Sequence, residues 1–191
     1  MKVLVAIGVN LFLLSWMSQA FGASPTIIKR AEWGARPPRK TPEQLSVNPP
    51  PFVIIHHADS DGCTSQAICQ ARVRAFQNYH MDHNNWDDIG YNFLVGEDGN
   101  IYEGRGWRIR GAHSPSYNTK SMGICFIGNF QRRVPQPAAI KAAKALIDFG
   151  VANGEIMTNY TLFGHRQTTT TICPGDKLYE LIKTWPNWQK I

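Results

Sequence analysis

Phe52-Val53-Ile54-Ile55-His56-His57 is the stretch from which the rest of the chain can be read. Four consecutive apolar residues, three of them β-branched, mark a strand buried on both faces rather than one that alternates. The strand ends on two imidazoles, His56 and His57, and such strand ends are where α/β sheets place functional side chains.

Working outward, Thr64 to Tyr79 turns helical, with Cys69, Val73, Phe76 and His80 recurring on one face. A polar loop, His83 to Gly90, carries Asn85 and an exposed-looking Trp86. Tyr91 to Val95 reads as a strand, and Asp98-Gly99 is the turn signal of a hairpin continuing into Ile101-Tyr102-Glu103. A loop rich in glycine and aromatics follows, holding Arg105, Trp107 and His113. Ser121 to Gly128 reads as a core strand. Pro135 or Pro137 opens a long helix whose apolar stripe is Ile140, Ala143, Ile147 and Val151. Leu162-Phe163 forms a last short strand, and Leu178 to Trp185 a final helical segment. Upstream, residues 24–51 are rich in proline and charge and read as an arm draped on the domain, anchored by Trp33. Strands alternating with helices around one hairpin predict an α/β class, a central mixed sheet flanked by helices, in a single domain that suits 191 residues.

The N-terminus carries an address. Lys2, the apolar run Val3 to Met17 and the small residues around Ala20 to Ala23 have the three-part form of a secretory signal peptide, predicted over residues 1–22 with the domain over 23–191. The run is short for a membrane anchor, and Asn10 interrupts it. Removal of residues 1–22 takes away one lysine and no acid, leaving 19 basic and 14 acidic residues and a formal charge of +5. That modest field favours anionic partners such as a bacterial envelope. No basic run points to nucleic acid, no second long apolar run points to membrane insertion, and a monomer is expected.

Four cysteines in a secreted chain admit two disulfides. Cys63 and Cys69, six apart, could close a short loop at a helix start. Cys125 sits in an apolar run where a free thiol behaves as a small hydrophobe, which leaves Cys173 for other chemistry. A Cys125–Cys173 bridge is the competing pairing. Asn159-Tyr160-Thr161 is an N-glycosylation acceptor.

Phe163-Gly-His-Arg-Gln-Thr-Thr-Thr-Thr-Ile-Cys-Pro-Gly175 adds His165 and Cys173, both good ligands for a borderline-soft metal. With His56 they make three ligands, the number a hydrolytic zinc site uses. His57 or His113 could complete a closed structural site instead, so spacing leaves both forms open. There is no HExxH pair.

Val53 to His57, Trp86 to Phe93, Tyr102 to Trp107, Gly111-Ala112-His113, and Gly164 to Gln167 with Cys173-Pro174-Gly175 together resemble the peptidoglycan recognition proteins, secreted relatives of the phage-type N-acetylmuramoyl-L-alanine amidases. The start Arg30 to Ala35 and the Cys63/Cys69 spacing agree with this resemblance, which spans the whole chain after the leader. It implies Zn²⁺ held by His56, His165 and Cys173. Tyr91 and Thr171 would act beside the metal, and Thr168, Thr169 and Thr170 would be plain loop. His57, His80, Asn85, Trp86, Arg105 and His113 would line a groove for peptidoglycan. The implied reaction is cleavage of the amide between the lactyl group of N-acetylmuramic acid and L-alanine. In the family, Gly-Trp before the Asp-Ile-Gly-Tyr segment accompanies diaminopimelate-type peptides and Asn-Phe accompanies lysine-type. Asn85-Trp86 is a hybrid, and Arg105 tips the expectation to diaminopimelate, whose extra carboxylate a guanidinium can pair. A non-hydrolytic immune receptor would use the same groove. A cysteine nucleophile at Cys173 paired with His165 is the remaining alternative.

Overall fold

In chain order the elements are β1 (Ile27–Ile28), α1 (Arg30–Trp33), β2 (Phe52–His57), α2 (Gln66–Asn78), β3 (Phe93–Val95) and β4 (Ile101–Glu103). β5 (Ser121–Phe126), α3 (Pro137–Ala152), β6 (Thr161–Gly164) and α4 (Asp176–Ile182) complete the chain. The computed structural model describes residues 24–191, and the leader expected over residues 1–22 lies outside the described residues. Among the described residues no helix is long and apolar enough to cross a membrane.

β2 is buried from Val53 through His57, as its apolar run predicts, and the strand continues through both histidines. It pairs in parallel with β5 on one side and β6 on the other, within a six-stranded sheet of order β1-β4-β3-β5-β2-β6. Among the paired strands of the described residues only the β3–β4 hairpin is antiparallel, so the sheet is mixed. The parallel registers set His56 beside Cys125 and Ile55 beside Gly164, which brings residues far apart in sequence to one end of the sheet.

The two faces differ. Val53, Ile55, Met122, Ile124 and Phe126 pack beneath α3 and α4 in the larger core. Burying a side chain of that size contributes roughly 1.5–3 kcal/mol, so this face carries most of the fold's apolar stabilisation. Leu94, Tyr102 and Cys125 face the other way, against Trp33 and the Cys69–Val73 side of α2. A disulfide joins Cys63 to Cys69 at the start of that helix.

Several elements differ from their sequence reading. Two residues of the N-terminal arm, Ile27 and Ile28, pair in parallel with β4 as the sheet's edge, and Trp33, fully buried, donates its indole N–H to the Glu103 carbonyl at 2.9 Å. The strand expected from Tyr91 begins at Phe93. Asn92 takes the place of ladder partners: its side chain donates to the Gly106 and Ile109 carbonyls and accepts from Gly123 N–H. α3 opens at Pro137, but its buried face is Ala139, Ala142, Ala143, Leu146, Ile147 and Gly150. Ile140 and Val151 are only partly buried, at its margins.

Candidate functional site

His56 projects from β2 onto the face that α3 and α4 leave uncovered. His165 opens a single 3₁₀ turn, His165–Gln167, directly after β6. Cys173 ends the loop that follows. One ligand atom from each of the three lies within 4.8 Å of the other two. Cys173 Sγ is 3.8 Å from His56 Nδ1, close to the edge of about 3.6 Å that tetrahedral zinc–nitrogen and zinc–sulfur bonds would give. Both ring nitrogens of His165 are buried without a hydrogen-bond partner, an arrangement that costs free energy unless something else satisfies them. The donor set therefore fits a borderline-soft divalent cation such as Zn²⁺.

Burial explains the protonation states. Desolvation, with His113, His165 and His57 nearby, holds His56 well below the usual histidine value. Desolvation likewise brings His165 to about 4. The Cys173 thiol is pushed up to about 12 by burial, against the opposing pull of the His57 backbone N–H, 3.4 Å from the sulfur. Burial thus disfavours the thiolate–imidazolium pair through which a cysteine nucleophile is activated.

Tyr91 is partly buried, its ring 5.3 Å from that of His56. Burial, then the thiols of Cys125 and Cys173, holds its phenol well above the usual value, so it remains a donor. Cys125, buried and free, lies against Tyr91 from the neighbouring strand, a contact that its apolar surroundings in sequence do not disclose. Thr171 accepts a hydrogen bond from Cys173 N–H at 3.2 Å, which leaves its own hydroxyl hydrogen available.

Thr168 departs from the plain-loop reading. Its hydroxyl donates to the His165 carbonyl at 2.9 Å and accepts from Ser114 at 2.9 Å, fastening the 3₁₀ turn to the loop that carries His113. Thr169 and Thr170 are exposed loop, as expected. Neither Ser114 nor Ser121, which meets His113, has a sequence signal of its own.

A cavity of about 390 Å³ is lined by Asn85, Trp86, Arg105, Ala112 and the arm residues Pro38 and Lys40 to Glu43. The trio itself does not line it. The two are connected by a chain of ring contacts: Trp86 stacks on His80 at 4.8 Å, His80 meets Tyr91 edge-on at 5.6 Å, and Tyr91 meets His56 at a tilt. His80 sits in the single π-helical turn Tyr79–His83 that extends α2, and its Nδ1 accepts Gly90 N–H. Burial and the Arg105 charge lower its pKa to about 4. His57 is buried with Nδ1 accepting from Phe130 N–H, and His113 is buried against His56.

Arg105 is the unusual cation here. Its Nε and Nη1 donate to the Ile89 and Arg110 carbonyls. Desolvation lowers its pKa despite Asp88 and Asp87. Asp88 is already engaged by Arg30, Gln77 and Ile89 N–H, and Asp87 by Lys40. Among the described residues no carboxylate forms an ion pair with Arg105.

This fold and site define a class. The N-acetylmuramoyl-L-alanine amidase family (Amidase_2) matches residues 46–176, and the chain belongs to it, on its peptidoglycan-recognition branch. It is 44% identical over 164 residues to Drosophila melanogaster peptidoglycan-recognition protein SC2, covering 86% of this chain and 88% of that one. It is 42% identical over 174 residues to Sus scrofa N-acetylmuramoyl-L-alanine amidase, covering 90% of this chain but 29% of that one. The solved structure of peptidoglycan recognition protein-LE in complex with tracheal cytotoxin, described as monomeric diaminopimelic acid-type peptidoglycan, superposes with a TM-score of 0.85 at 43% identity. That match covers 87% of this chain and 97% of the other.

Proposed function

We propose that this chain is a secreted, zinc-dependent N-acetylmuramoyl-L-alanine amidase of innate immunity, with residues 1–22 removed as a leader and 23–191 forming the enzyme. It binds bacterial peptidoglycan and hydrolyses the amide between the lactyl group of N-acetylmuramic acid and L-alanine. The observation that carries this reading is the donor trio His56, His165 and Cys173 set beside the protonated phenol of Tyr91. Zn²⁺ bound there supplies a Lewis acid for the carbonyl and lowers the pKa of water toward neutrality.

The chain's own residues do the remaining work. His56 and His165 offer neutral imidazoles because burial disfavours their charged forms. The His57 N–H directed at Cys173 Sγ favours the anionic sulfur that a metal requires. Tyr91 donates its hydroxyl hydrogen to the amide oxygen as negative charge grows there. Thr171, its oxygen already held by Cys173 N–H, donates to the same centre. A donor of this kind contributes about 2.7–4 kcal/mol to the barrier reduction.

Asn85, Trp86 and Arg105 form the stem-peptide subsite, and His80, stacked on Trp86, supports it. The unpaired guanidinium of Arg105 selects diaminopimelate through the carboxylate that lysine lacks. The same class of ligand occupies the peptidoglycan recognition protein-LE structure.

A second reading, a receptor that binds without cutting, is favoured by one observation: the cavity is not lined by the trio, so occupancy does not require it. Cys173→Ser separates the two. It should abolish turnover while muropeptide affinity stays within about threefold. Turnover by the variant at the wild-type rate would remove the metal from the mechanism.

A further inference from the structure

We infer that His113 is a positioning residue for His56, fixing the tautomer that presents Nδ1 to the trio. The inference rests on the metal-site reading above. It begins from the order of three hydrogen bonds. Ser121 Oγ donates to the Tyr117 carbonyl at 2.8 Å, which commits the hydroxyl hydrogen and leaves the oxygen as an acceptor. His113 Nε2, 3.5 Å from that oxygen, is therefore the protonated nitrogen of its ring. A neutral imidazole with Nε2–H has a bare Nδ1. That Nδ1 stands 2.9 Å from His56 Nε2, so His56 must donate Nε2–H. The lone pair of His56 then lies on Nδ1, the nitrogen beside Cys173 Sγ. One backbone carbonyl, read through a serine and a histidine, settles which nitrogen of His56 is free to bind.

The housing of His113 is built for this. A Cβ at Gly123 would lie 2.4 Å from His113 Cδ2 and 2.5 Å from its Nε2, and a Cβ at Gly111 would lie 2.3 Å from Cδ2. The ring packs directly against two glycines, and no other residue type at either position leaves it room. His113 N–H is also fixed by Asn118 Oδ1. The two ring planes are nearly perpendicular, with centroids 4.9 Å apart at 85°, and His56 Nε2 and His113 Nδ1 are the atoms that meet. Outer hydrogen bonds of this kind govern ligand orientation and are worth 10–100-fold in metal affinity.

The test uses metal-free protein labelled with ¹⁵N-histidine, so that it stands apart from catalysis. Long-range ¹H–¹⁵N spectra should show His56 and His113 as single Nε2–H tautomers in the wild type. In His113→Leu, His56 should become a tautomer mixture, and zinc affinity by chelator competition should fall roughly 10–100-fold. His113→Asn, whose carbonyl takes the place of Nδ1, should recover most of that loss. If His113→Leu does not fold, Ser121→Ala provides the second variant, with loss of the single His113 tautomer. An Nδ1–H tautomer of His56 in the wild type overturns the inference, as does a folded His113→Leu protein with unchanged tautomer and zinc affinity. A wild type that binds no zinc overturns the metal-site reading instead, and the tautomer spectra still decide the role of His113.

Discussion

Replacing Arg105 by alanine tests the substrate subsite most informatively, because the two candidate ligands differ by one carboxylate. In the protein the guanidinium spends Nε and Nη1 on the carbonyls of Ile89 and Arg110 and has no carboxylate of its own among the described residues. A hydrogen bond to a charged group is worth about 1.5–3 kcal/mol, or about 10–150-fold in affinity at 1.4 kcal/mol per tenfold. Diaminopimelate muropeptide should therefore bind Arg105→Ala about 10–150-fold more weakly by calorimetry. Lysine-type muropeptide presents an ammonium to the same place and should bind equally well or better. The paired comparison matters, because freeing two carbonyls loosens the loop for both ligands and the ratio cancels that shared cost. Arg105→Lys, which keeps the charge but loses the fork, should fall between. Equal loss for both ligands would refute the assignment of Arg105 as the selecting residue.

Other consequences can be measured directly. Tyr91→Phe should keep zinc affinity and lower kcat about 10²–10³-fold in a stem-peptide release assay, the usual cost of one oxyanion donor; an unchanged kcat would remove Tyr91 from the chemistry. Thr168→Val should lower thermal stability by about 1–2 kcal/mol through loss of its two buried-side hydrogen bonds, read as a shift in urea midpoint. Stability of chelated protein should fall with acid. His80 is held at about 4 against 6.5 unfolded, so the unfolded chain binds the extra proton first. Its contribution is complete above pH 6.5 and is lost as pH falls toward 4, on the order of 3 kcal/mol. Urea midpoints that stay flat from pH 7 to 4.5 would contradict this.

Much of the fold was legible because the signals are local. An unbroken apolar run gave β2, Asp98-Gly99 gave the hairpin, and the choice of Pro135 or Pro137 gave the start of α3, which falls at Pro137. The trio was legible once His165 and Cys173 were set against a histidine at a strand end. What stayed hidden depends on partners distant in sequence. Two isoleucines carry no periodicity, so β1 became visible only through its pairing with β4. Asn92 shortens its strand by bonding the Gly106 and Ile109 carbonyls, which no window around it contains. Four consecutive threonines are equivalent as letters; only the arrival of Ser114 separates Thr168 from its neighbours. The housing of His113 needs Gly111 and Gly123 both against one ring, a coincidence that only folding creates.

The central claim is that this donor trio holds a metal that cuts peptidoglycan. It is tested most directly by measuring zinc content and new amino termini together on purified protein given diaminopimelate-type peptidoglycan. One zinc per chain and release of stem peptides beginning with L-alanine, both abolished by chelator and restored by Zn²⁺, is the expected result. A fully zinc-loaded protein that binds the polymer and releases no stem peptide would contradict it.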